Sequence, residues 1–150
     1  MDNHEDMTRG QKYIHDYEES IMTLYRYVPY LTDRGGKDIS QEYDGSLGRS
    51  SMSFPVYDGT LLSFVREIQR SALFDRNYVY AYSKRRIRTP EQEEKAVKDA
   101  AFADIDMLRA VLSKYAFEGM RKTGVWQDAV ERKLFLTAIV KLKEFLDYYK

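Results

Sequence analysis

Two histidines, no cysteine and scattered clusters of carboxylates bound the chemistry open to this chain. His15 stands three and four residues before Glu18 and Glu19. That spacing sets an imidazole and a carboxylate on one helical face, as bundle-type metal sites require. Such a site needs a second pair of the same kind, and the sequence holds none, so His15 reads as a solvated helix residue. Without cysteine there is no thiolate ligand, thiol nucleophile or disulfide. A Gly-x-Ser-x-Gly elbow is absent, and Ser46-Leu47-Gly48-Arg49-Ser50-Ser51 does not match a phosphate-binding loop. Glu91, Glu93 and Glu94 read as acids at a helix start, and Asp104 and Asp106 as cap and first turn, where the helix dipole favours negative charge. No catalytic residue, cofactor-binding residue or metal ligand is expected, and no cofactor.

The best electrostatic feature is Lys84, Arg85, Arg86 and Arg88, preceded by Tyr78, Tyr80 and Tyr82. Arginines that contact phosphates beside tyrosines that stack on bases would make a nucleic-acid surface. Against it, 24 basic residues balance 24 acidic ones, so no global field draws the chain to a polyanion. The favoured reading is a solvated segment neutralised by the acids at 91–94. The candidate binding surface is Tyr78, Tyr80, Tyr82, Arg85, Arg86 and Arg88 with the only tryptophan, Trp126. Any site is expected where Tyr82, Arg85 and the glycine-rich loop described next meet Trp126. Tyrosine is abundant, with 13 copies, which suits either a half-buried shell or an interface.

These residues must be positioned by helices. Ile14, Tyr17, Ile21, Leu24, Val28 and Leu31 step by three and four, which predicts a first helix over 8–31 that ends or kinks at Pro29. Residues 33–53 hold half of the eight glycines among many serines and predict a long loop, mobile or partly disordered. Asp58 is placed to cap a second helix with Leu61, Leu62, Val65, Ile68, Ala72 and Leu73 inward. Residues 77–83 suit either a strand or a helix. Thr89-Pro90-Glu91-Gln92 has capping-box form and starts a third helix, with Ala96, Val97, Ala100 and Ala101 as its apolar side. Asp104 is expected to cap a fourth helix facing inward through Ile105, Leu108, Val111, Leu112 and Tyr115. Beyond Gly119 and Gly124, Trp126 leads into one long fifth helix whose apolar face is Val130, Leu134, Phe135, Ala138, Ile139, Leu142, Phe145, Leu146 and Tyr149.

The expected fold is all-α: a single compact domain of about five helices over 1–150, with 8–31 the first helix, 33–53 a flexible loop and 54–150 the main helical body. The 43% hydrophobic content is enough for a core. The polar, acidic start lacks a signal-peptide core, and no apolar run reaches the length of a membrane span. A cytoplasmic protein with no membrane partner is expected.

Leu108-Arg109-Ala110-Val111-Leu112, Gly124-Val125-Trp126 and Ile139-Val140-Lys141-Leu142 stand at the spacing of a bacterial family, domain of unknown function six-five-zero-eight, which the chain resembles over residues 103–146. Ala103-Asp104-Ile105-Asp106 is similar to that family's helix start, and Leu24 to Tyr30 and Phe54 to Tyr57 resemble it more loosely. The family joint carries arginines where Ala116 to Met120 stand here, and its Gly-His is replaced by Lys133-Leu134. The resemblance implies a helical cytoplasmic protein and brings no activity. The leading expectation is a non-enzymatic interaction or structural module with a homodimer or other protein partner. A nucleic-acid-associated protein is the first alternative, and an enzyme with a pocket under the 33–53 loop the second.

Overall fold

The computed structural model describes residues 10–34, 40–42, 55–57, 59–122 and 124–149. Nine helices lie within these residues, joined by one short β ribbon. They are α1 (10–15), α2 (Glu18–Tyr25), α3 (Val28–Arg34), α4 (Gly59–Arg70), α5 (Tyr78–Lys84), α6 (Pro90–Lys98), α7 (Ile105–Glu118), α8 (Val125–Glu131) and α9 (Leu134–Tyr149). A 3₁₀ turn, Phe102–Asp104, leads into α7. Strands β1 (Ser40–Glu42) and β2 (Pro55–Tyr57) pair antiparallel, with Ser40 opposite Tyr57 and Glu42 opposite Pro55.

The mostly helical class is as expected, but the helices are shorter and more numerous. The first predicted helix is broken at 16–17 and again at 26–27, and its stripe survives the breaks: Ile14, Ile21, Leu24 and Leu31 are all buried. Pro29 sits in the first turn of α3, where its missing amide costs nothing, so the chain breaks ahead of it and continues to Arg34. The predicted loop therefore starts later than residue 33, and its residues 40–42 are a strand. The rest of it, with the Asp58 cap and the Thr8 start, lies outside the described residues.

α7 is the hub. It packs against α4, α5, α6, α8 and α9, and Leu108, Val111 and Leu112 are shut off from solvent with Met107, Ala110 and Ala116 on its other sides. A helix buried on more than one face shows a broader stripe than a surface helix. In α4 the inward face is Leu61, Phe64, Val65 and Ile68. Phe64 belongs to it, at 5.0 Å from Phe135, whereas Ala72 lies beyond the helix end and is exposed. Ala101 is exposed as well, because α6 stops at Lys98.

Two joints have left-handed backbone at residues other than glycine. Arg86 (φ 55) follows α5, where the Ile87 amide donates to the Tyr82 carbonyl and the Arg86 amide to that of Ser83. This is a Schellman ending with arginine in the position glycine normally takes. Lys133 (φ 60) separates α8 from α9, so the single fifth helix of the sequence reading is two. No glycine or proline marks that break, which is why it was not anticipated.

Gly119 caps α7 under the indole of Trp126: a Cβ there would lie 1.9 Å from Nε1. Gly119→Ala should destabilise the protein by about 1–3 kcal/mol through overpacking, read as a lower denaturation midpoint. A shift in the fluorescence of the single tryptophan should accompany it. Arg86→Gly should do the opposite and stabilise by about 1 kcal/mol, since it removes the left-handed strain, read from the same denaturation curves.

Candidate functional site

Residues 77–83 are helical, which settles where the candidate tyrosines point. On α5 successive side chains turn by about 100°, so Tyr78 and Tyr82 share one face while Tyr80 lies on the other, 60% exposed. Tyr78 donates to Glu118 at 3.1 Å and Tyr82 to Glu93 at 2.5 Å. The three rings form no common stacking platform.

Arg85 is gripped by acids. Its guanidinium donates to both oxygens of Asp106, at 2.9 and 2.8 Å, and to Asp104 at 3.2 Å. The hydrogen bonds that Arg85 donates to Asp106 push the arginine's pKa up, and Asp106 titrates below the usual carboxylate range because Arg85 outweighs its burial. Asp104 makes no side-chain cap bond to α7. It accepts instead from the Ala101 amide at 3.0 Å, closing the 3₁₀ turn. Arg86 and Arg88 are exposed, and Trp126 is buried beside Gly119. The expected surface is thus divided: Tyr82 and Arg85 face different acids, and Trp126 belongs to the core.

The most deeply buried charged group is one that the sequence marks only as an acid at a helix start. Glu93, at the start of α6, is 3% exposed. Tyr82 and Tyr115 donate to it, the latter at 2.7 Å; Arg132 donates at 2.7 Å, and the Lys114 ammonium stands 3.6 Å away. Arg132 also reaches Glu94, Asp128, the Tyr115 hydroxyl and the Pro90 carbonyl. Four helices, α5 to α8 (Arg132 closing the last), meet at one carboxylate. The pattern that could have revealed it is helical spacing: Glu93 is three, four and seven residues before Ala96, Val97 and Ala100, on the apolar side of α6.

Burial opposes the Glu93 charge, but the bonds from Tyr82 and Tyr115 and the charges of Lys114 and Arg132 outweigh it, so its pKa is lowered. Burial and the neighbouring carboxylate push both tyrosine hydroxyls up. General acid–base work needs a pKa near the operating pH. Glu93, Tyr82, Tyr115 and Arg132 are all moved away from neutrality, which suits a cluster that holds helices together. The recess beside it is small, about 180 Å³.

The second feature is apolar. Phe74, Tyr78 and Val79 on one side and Phe117 and Met120 on the other bound a groove of about 510 Å³. Val79 and Met120 are each 59% exposed, and Phe117 is 38% exposed. Gln69 supports its floor by donating to the Ala116 carbonyl and to the Met120 sulfur. Ser113 and Arg109 hold the wall above. Ser113 accepts from the Asp75 amide at 2.8 Å, and Arg109 donates to the Leu73 carbonyl at 3.1 Å. None of Phe74, Val79, Phe117 or Met120 figured among the sequence-predicted site residues.

Among the described residues no group of histidines and acids could hold a metal ion, and no helix is long and apolar enough to cross a membrane. His15 is exposed and pairs with Glu18 at 3.0 Å. The enzyme alternative concerns a pocket under the 33–53 loop, most of which lies outside the described residues.

No family model, curated protein or solved structure matches this chain.

Arg132→Met should leave the Glu93 charge buried with less compensation and cost about 3 kcal/mol, the low end for a broken buried pair, measured by urea denaturation. Because the folded pKa of Glu93 is lowered, its contribution is fully present above its unfolded value near 4.5 and is lost as pH falls through the folded value. Thermal stability should therefore drop below about pH 4.5, and Glu93→Gln should flatten that acid limb while lowering the neutral plateau.

Proposed function

We propose that this protein is a non-enzymatic interaction module that docks a partner protein in the groove between α5 and the end of α7. The observation that carries this reading is the exposure of Val79, Phe117 and Met120 around a concave floor that is itself well supported. Contiguous apolar surface of this kind costs solubility and marks a place where another surface fits. Methionine suits such a surface because its flexible thioether adapts to different shapes. The buried polar cluster has a different part: it fixes α5 against α7 and so holds the groove open.

The proposal includes membership of the family of domain of unknown function six-five-zero-eight and a cytoplasmic setting. These rest on the motifs at Leu108, Gly124-Val125-Trp126 and Leu142, and on a chain without cysteine. Arg109 of the first motif is used structurally, since it pins the wall of the groove and stacks over Tyr17 at 5.0 Å.

A peptide library selected against the wild-type protein should yield binders that lose at least tenfold in affinity on Val79→Asp combined with Met120→Asp. Both positions are exposed, so the variant's circular-dichroism melt should match wild type. Binders indifferent to the double variant, or none at all, would overturn the docking reading.

A further inference from the structure

We infer that the occupant of the groove is an acidic amphipathic helix of a partner protein. The inference rests on the docking reading above and adds the partner's chemistry. It comes from the charges at the rim. Arg76 lines the groove, and Arg121 and Lys122 directly follow Met120 of its wall; all three are exposed, and none is within ion-pair distance of an acid among the described residues. Several other cations of the chain are engaged: Lys95 holds Asp99, Lys143 holds Asp147, Arg85 holds Asp106 and Arg132 holds three acids.

Two acids stand against these three cations, each accepting from a neutral donor. Glu118 is half-buried and accepts from the Tyr78 hydroxyl, while the Asp75 carboxylate accepts from the Asn77 amide at 2.9 Å. The last carbonyls of α7 are engaged too, by the amides of Gly119, Met120, Arg121 and Lys122, so the negative end of that helix is capped rather than turned on the groove. Arg121 lies over the Phe117 ring, 5.7 Å from its centroid, so its charge sits at the groove edge.

A second copy of this chain is the poorer occupant. Isologous pairing through the groove would set the two basic rims against each other. A partner helix with large apolar residues at i and i+4 and acids on its flanks satisfies floor and rim together.

The test uses three labelled helical peptides with one apolar face and Glu, Gln or Lys at the flanking positions, titrated by fluorescence anisotropy onto the full chain. The Glu peptide should bind at least tenfold tighter than the Lys peptide, the gap should close at high salt, and Arg76→Glu, Arg121→Glu and Lys122→Glu together should invert the order. Equal binding of all three peptides, abolished by Val79→Asp, would sink the acidic-partner inference and leave docking standing. Failure of all three to bind would sink the docking reading itself. The salt series on the unaltered protein decides the charge question even where the triple variant does not fold.

Discussion

One constraint shapes the C-terminal two-thirds of this protein: the Glu93 carboxylate is out of water and must be compensated from every direction. A buried charge without partners is too costly to keep. The chain meets that demand with four groups from three separate segments: two tyrosine hydroxyls, an ammonium and a guanidinium. Each donor fixes the rotation and height of the helix that carries it. α5 is set by Tyr82, α7 by Lys114 and Tyr115, and the end of α8 by Arg132. The apolar core could be filled in several ways, whereas this geometry is satisfied in few.

The helix breaks follow from the same demand. Arg132 must swing back towards α6, and the left-handed residue Lys133 directly after it lets α9 leave in a new direction. At the end of α5, Arg86 plays the equivalent part, and turns Ile87 inward beside Tyr82. Left-handed backbone at a residue with a side chain is costly. It is tolerated at both joints because the flanking contacts are worth more.

Much of the helical frame was legible in the sequence, because steps of three and four report a buried face directly. The Thr89 capping box reads identically in the structure, with Gln92 and Thr89 bonding reciprocally. What escaped reading was of three kinds. Breaks at Asp16-Tyr17 and at Lys133 carry no local glycine or proline and are imposed by packing. The polar cluster escaped because acids at a helix start are read as dipole partners, and Glu93 alone of its neighbours faces inward. The groove was illegible for a third reason. Phe117 and Met120 continue the α7 pattern like core residues, and only the positions of α5 and α4 leave them uncovered. The tyrosine alternation at 78–82 suggested a shared platform, but alternation on a helix separates side chains instead of aligning them.

The meeting of Glu93 with Arg132 also bears on how the chain can be divided. The stretch from Asp104 to Tyr149 reads as a self-sufficient helical hairpin, with its own stripes and its own tryptophan. Cut away from α6, it would keep Arg132, Lys114 and Tyr115 but lose the anion they surround, and α7 would present a bare face. The fragment that looks most independent in the sequence is thus the one least able to stand alone. The smallest unit that closes its own charges must reach back at least through α5.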